Sequence, residues 1–162
     1  MKDSNRTYIN NAQLSLMQIA EISISYNLKF KASERPMINS SASAYEILIH
    51  QWNPGLLELK EEFKVILLNR ANNVLGLFNL SSGGMAGTVV DLKLLFATVL
   101  KSCASTIILA HNHPSGNLIP SQADISITQQ VKEAGKILDI KVFDHLIITK
   151  SSYYSFADEG IL

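Results

Sequence analysis

Polar and apolar positions alternate strictly from Ile22 to Phe30: Ile22, Ile24, Tyr26, Leu28 and Phe30 are separated by Ser23, Ser25, Asn27 and Lys29. This period of two predicts a half-buried strand with one wet face. Further on, Phe63 to Leu68 and Ile107 to Ala110 are nearly unbroken apolar runs, the pattern of strands covered on both faces. Asn72-Asn73 is a turn signal, and Val74 to Leu80 follows it, so the first run and this one predict a hairpin. Ile140 to Thr149 is a further strand. Helical spacing occupies the gaps. Tyr45, Leu48, Ile49 and Trp52 share one side, with Ser43-x-x-Glu46 as a capping box and Asn53-Pro54-Gly55 as the stop. Leu92, Leu95, Phe96, Val99 and Cys103 share another face behind an Asp91 cap, which makes Cys103 a small core residue. Ser121 to Ala134 is a third helix, stopped by Gly135.

Residues 1–20 read as a flexible N-terminal tail or short helix, with a helical turn hinted at by Leu14 and Met17. Residues 21–162 read as a single domain, in which Lys31 to Asn39 is a linker and the aromatic run Tyr153-Tyr154-Ser155-Phe156 docks on the body. Intermixed strands and helices predict an α/β (mixed α+β) domain built on a mixed sheet flanked by helices.

Composition narrows the function classes. Of 162 residues, 47% are hydrophobic, which supports a packed core. Lys plus Arg and Asp plus Glu number 14 each, so the charge excess typical of nucleic-acid binders is missing. One cysteine excludes an internal disulfide. The polar N-terminus shows neither a signal peptide nor a membrane span, and the expected location is cytoplasmic.

The candidate chemistry sits where the run Ile107–Ala110 ends. His111 and His113 are two apart in an extended chain and so point the same way, able to meet at one ion or to be a surface accident. Seven residues separate His113 from Ser121, and two more separate Ser121 from Asp124. Ser121-x-x-Asp124 is itself a capping box. Asp124 also heads the inward stripe Asp124, Ile127, Thr128 and Val131, and an inward carboxylate needs a partner. Two histidines and one aspartate would leave the fourth tetrahedral position of a zinc ion open, as in catalytic sites. A water there would have its pKa lowered toward about 7 and would need a base. Glu61 and Glu62 are the candidates, although with Glu58, Lys60 and Lys64 they also fit a solvated edge. Asp144 and His145 are adjacent in a strand and face opposite sides, so they cannot share one metal; one reads as hydrogen-bonded support and the other as structural.

His-x-His-x7-Ser-x2-Asp matches the JAMM motif of the JAB/MPN metalloproteins. The blocks His111-Asn112-His113-Pro114-Ser115-Gly116, Pro120-Ser121-x-x-Asp124, Asp144-His145-Leu146-Ile147-Ile148 and Tyr154-Ser155-Phe156 resemble RadC-type proteins over residues 55–162. The resemblance implies a JAB/MPN, cytidine-deaminase-like fold. It implies one zinc per chain on His111, His113 and Asp124, a glutamate base at Glu61 with Glu62 as the alternative, and Ser121 bonded to the oxyanion or the water. It implies a metallopeptidase or isopeptidase acting on a protein or peptide. The alternative is a DNA-repair or mobile-element accessory protein that binds nucleic acid or a protein partner without significant peptidase activity. Two departures weigh against that alternative: no helix-hairpin-helix region is legible in residues 1–54, and Val90-Asp91-Leu92 stands where Pro-Arg-Glu is common. Many members of the wider fold family dimerise, so a homo-oligomer is compatible with the sequence.

Overall fold

A computed structural model describes residues 31–84 and 87–162. The strand expected over Ile22–Phe30 and the turn at Leu14–Met17 lie outside the described residues. Three helices and five strands follow in the order α1 (Ser41–Gln51), β1 (Glu62–Leu68), β2 (Val74–Ser82), α2 (Leu92–Lys101), β3 (Thr106–Asn112), α3 (Gln122–Ile137), β4 (Lys141–Ile148) and β5 (Tyr153–Ser155). The strands form one sheet ordered β2-β1-β3-β4-β5. β1 runs antiparallel to both β2 and β3, β3 and β4 are parallel, and β5 returns antiparallel on β4. The protein is therefore a mixed α/β domain with helices on both faces of a mixed sheet.

The two apolar runs are continuous because both faces of their strands are covered. Phe63, Val65 and Leu67 of β1 and Ile107 and Leu109 of β3 face Leu95, Phe96 and Val99 of α2 and Val131 of α3. Ile66, Leu68, Ile108 and Ala110 face Ala44 and Leu48 of α1 and Trp52. The hairpin and the Asp91 cap occur as the sequence predicts, the Asp91 carboxylate accepting from the backbone N–H groups of Lys93 and Leu94 at 2.9 and 3.2 Å.

Four local expectations are corrected. The box that starts α1 is Ser40 with Ser43, not Ser43 with Glu46: Ser40 Oγ accepts from Ser43 N–H at 3.2 Å and Ser43 Oγ from Ser40 N–H at 3.1 Å. The early start lets Ser41 lie buried against Ser155, with the hydroxyls 3.1 Å apart. Residues 31–39 are more than a linker, because they hold a 3-10 turn at Ala32–Glu34 and a bridge from Met37 to Asn73, and Ile38 is fully buried. Cys103 is exposed, not in the core. The α2 period ends before it: Cys103 takes φ 53° while its N–H bonds to the Leu100 carbonyl and that of Ala104 to Val99. This is a Schellman stop with cysteine at the position glycine favours.

Gly135, expected to end α3, lies inside it and is buried. Asp139, with φ 54°, makes the actual turn, and Ile140 N–H closes it on the Gly135 carbonyl at 2.8 Å. A side chain at 135 would place its Cβ 2.6 Å from the Ile140 carbonyl oxygen, which explains the glycine. The close approach joins α3 directly to β4.

Candidate metal centre

The site lies at the C-terminal end of β3, where the parallel strands β3 and β4 open. In β3 the side chains alternate, so Ile107, Leu109 and His111 project toward α3 while Ile108, Ala110 and Asn112 project toward α1. His113 follows on the His111 side. Pro114 to Gly116 turn the chain, with Gly116 at φ 76°, where a side chain would be strained. The chain then reaches the start of α3, where Ser121 is the N-cap and Asp124 stands in the first turn.

His111, His113 and Asp124 converge. His111 Nε2 lies 3.0 Å from His113 Nε2 and 3.2 Å from Asp124 Oδ1, and His113 Nε2 lies 3.6 Å from Asp124 Oδ2. Ligand atoms on a tetrahedral zinc, with bonds of about 2.0–2.1 Å, stand about 3.3 Å apart. The spacings from His111 to His113 and to Asp124 are close to that value, one ligand atom from each residue lies within 4.8 Å of the others, and the donor set fits the ion. His113 Nδ1 donates to the Asn117 carbonyl at 2.6 Å, so in the neutral ring Nε2 carries the lone pair and aims it inward.

Asp124 serves as cap and candidate ligand together. Its Oδ2 accepts from the backbone N–H and the hydroxyl of Ser121, both at 2.7 Å, and also lies toward His113, while Oδ1 faces His111. Burial opposes ionisation of Asp124, but the two neighbouring imidazoles prevail and hold the carboxyl far below the usual range. The same bond to Asp124 raises the His113 pKa against the opposing effect of burial. Burial, and then the neighbouring His111, pushes the His145 pKa well below its ordinary value, so this ring is neutral.

The two glutamates separate. Glu62 turns to lysines, 3.3 Å from Lys60 Nζ and 3.5 Å from Lys64 Nζ. Glu61 lines an open cleft of about 610 Å³ together with His113, Ser121 and Asp124. The cleft's other walls include Val89, Val90, Ile119 and Ile127. A larger hollow, about 950 Å³, opens at the N-terminal ends of β3 and β4 and contains none of these residues.

Three residues with a place in the site escaped the sequence reading or were left without a definite role there. Asn112, fully buried, accepts from Glu62 N–H at 2.8 Å and donates to the carbonyls of Leu57 and Lys60 at 2.7 and 2.9 Å. It clamps the segment that carries Glu61 to the end of β3. His145 lies behind His111, its Nε2 2.9 Å from His111 Nδ1, and Thr128 lies behind His145. Asp144 faces the other way, accepting from Ser155 Oγ at 2.7 Å and Ala157 N–H at 3.0 Å, which fastens the C-terminal segment. The expected split between the adjacent pair is what the structure shows. Among the described residues, His111, His113 and Asp124 are the group of three or more ligating side chains close enough to hold a metal ion, and no helix is long and apolar enough to cross a membrane.

A family model for a RadC-like JAB domain matches residues 38–161. A UPF0758 protein of Flavobacterium johnsoniae is 53% identical over 125 residues, 76% of this chain and 53% of the relative. Another, of Porphyromonas gingivalis, is 43% identical over 130 residues, 79% of this chain and 56% of the relative. A UPF0758 protein of Symbiobacterium thermophilum is similar at 31% identity over 163 residues, 100% of this chain and 69% of the relative. The chain spans about half the length of the first two relatives.

Proposed function

The chain belongs to the RadC-like JAB domain family, and on that premise we propose that it is a zinc-dependent hydrolase, a metallopeptidase or isopeptidase of the JAMM type. The observation that carries this reading is the convergence of His111, His113 and Asp124 donors at an open cleft. Zinc in that position would polarise a substrate carbonyl and lower the pKa of a water toward about 7.

The chain's own groups would do the rest. Glu61, held at the cleft wall, takes the proton of the attacking water and passes it to the leaving amine. Its backbone is fixed on both sides, Glu61 N–H donating to the Gly84 carbonyl at 3.0 Å and Gly83 N–H to the Glu61 carbonyl at 2.9 Å. The Ser121 hydroxyl now donates to Asp124; turned outward, it donates to the oxyanion of a tetrahedral intermediate, a stabilisation that is usually large. The apolar side walls suit an extended peptide with uncharged groups flanking the scissile bond.

The test is metal analysis of the purified protein, with and without His113→Ala, followed by hydrolysis assays on peptide and isopeptide substrates with added zinc. One bound zinc per chain, lost in His113→Ala, is expected, together with a fall of about 10²–10⁴-fold in rate for Glu61→Gln. A protein that takes up no metal overturns the whole reading. Full activity in Glu61→Gln overturns the assignment of the base.

A further inference from the structure

The hydrogen-bond directions behind His111 can be assigned one by one, starting from an atom with no choice. The Asp124 carbonyl oxygen can only accept. Thr128 Oγ1 lies 2.6 Å from it, so the single hydroxyl hydrogen of Thr128 is committed there. Thr128 Oγ1 also lies 2.6 Å from His145 Nδ1, and toward that atom it can only accept. His145 Nδ1 therefore carries a hydrogen. The ring is fully buried and its nitrogens meet Thr128 and His111, neither of them a carboxylate that could pair a buried charge, so the ring carries one hydrogen and its Nε2 is bare. That bare nitrogen lies 2.9 Å from His111 Nδ1, which must be the donor. A neutral His111 then has its lone pair on Nε2, the atom aimed at His113 and Asp124.

We infer that Thr128 and His145 are positioning residues that lock His111 in the Nδ1–H tautomer, through a hydrogen-bond chain that begins at the Asp124 carbonyl, ends at His111 Nδ1 and leaves the bare Nε2 beside the Asp124 carboxylate. The chain ties a helix ligand to a strand ligand. His111 cannot tip or change tautomer without breaking bonds that α3 and β4 both hold. Packing fixes the intermediary: the His145 ring stacks on Phe156 at 4.7 Å between centroids, and the His111 ring lies parallel to Phe63 at 5.8 Å. The strand itself is bent to deliver His145. Between Ile107 and Ile108 the pairing with β4 slips by one residue, from Val142 to Asp144. Because of this bulge, Val142 and His145 reach the same face although they are three apart, and such irregularities commonly re-aim a side chain beside a site.

This inference rests on the proposed zinc site for its purpose, but the hydrogen-bond chain itself is testable without metal. Two-bond ¹H–¹⁵N correlation spectra of the metal-free wild-type protein report each histidine's tautomer. Nδ1–H on both His111 and His145 is expected; Nε2–H on either one overturns the lock. Zinc affinity, read by competition with a chelating dye, is expected to fall about 10–100-fold in Thr128→Val, which removes the acceptor for His145. It is expected to stay close to wild type in Thr128→Ser, which restores that acceptor. Wild-type affinity in a folded Thr128→Val, or equal losses in both variants, overturns the positioning role. If Thr128→Val fails to fold, the wild-type spectrum and Thr128→Ser still decide. A wild-type protein that binds no zinc sinks the metal reading and leaves the tautomer spectrum to decide the chain.

Discussion

Replacing Asn112 by alanine would release the segment that holds Glu61 without touching a metal donor. Asn112 makes three bonds to main-chain groups: the Leu57 and Lys60 carbonyls and the Glu62 N–H. A protein hydrogen bond contributes a net of about 0.5–1.5 kcal/mol, with more lost where a buried partner is left unpaired. Two of the three bonds are only partly buried, so water can replace them in part. The expected loss is about 2–4 kcal/mol. In a domain of this size each kcal/mol moves the midpoint by about 2–4 °C, so the metal-free protein should melt about 4–16 °C lower. Asn112→Asp is the sharper test. It keeps the shape, but a carboxylate cannot donate, and the oxygen in place of Nδ2 would face two carbonyls in a buried place. It should melt below Asn112→Ala. Zinc affinity should survive in a folded Asn112→Ala while hydrolysis falls, because the ligands are intact and Glu61 is not held. Thermal melts of both variants decide the matter: an alanine variant that melts with wild type, or an aspartate variant more stable than alanine, would falsify the clamp.

Ser121→Ala removes the α3 cap and should cost about 1 kcal/mol, whereas Ser121→Gly should lose only a few tenths, so melting should rank wild type, then glycine, then alanine; any other order speaks against the cap. Gly135→Ala should destabilise by about 1–3 kcal/mol, despite alanine's helix preference of about 1 kcal/mol, because its Cβ meets the Ile140 carbonyl; an unchanged or higher melting temperature would contradict the close approach. Acidity should act with opposite signs on two histidines. His113, with its pKa raised, supports the metal-free fold below its unfolded value of about 6.5 and loses that support as pH rises through the folded value. His145, with its pKa lowered, costs stability below about pH 6.5, where the unfolded chain takes a proton the buried ring refuses. Because zinc must displace the His113 proton, its affinity should climb between about pH 5.5 and 8; titrations showing the same affinity at both ends would contradict this.

β1 and β3 were legible because burial on both faces leaves unbroken apolar runs, and the β1–β2 hairpin because a turn signal separates two apolar stretches; β5 was read only as an aromatic run that docks on the body. Helix ends were less so. The period of α1 says where it faces, but its start depends on Ser40 and Ser43 exchanging hydroxyl bonds, and a serine at the third position is a weaker sign than glutamate. Cys103 continues the spacing of α2 by count. Only the backbone shows that the helix has already turned into a left-handed residue there. Gly135 looks like a stop because glycine usually is one, and its neighbour Ile140 is five residues on, where sequence shows no contact.

The site was legible as far as it obeys simple periods. Two residues apart on a strand brought His111 and His113 together, and the inward stripe of α3 brought Asp124 beneath them. For Asp124, ligand and cap looked like rivals because a sequence lists residues, whereas in the structure one carboxylate meets both, Oδ1 facing His111 and Oδ2 meeting Ser121 and, farther off, His113. Asn112 was hidden between the histidines: its neighbours define the site, and its own side chain points to the opposite face, toward a loop whose position no period predicts. The relay needed more. Thr128 was visible as a hydroxyl within an otherwise apolar stripe, one turn below the carboxylate, and that is the signal that could have exposed it, since such a group must find a partner when buried. Its partner His145 falls on the right face only because β4 carries an extra residue, and a bulge reverses the very alternation used to assign faces. Strand arithmetic separated Asp144 from His145 correctly, because they are neighbours on the far side of the bulge. It could not say which of the two meets α3, because that choice is made by the slip before them.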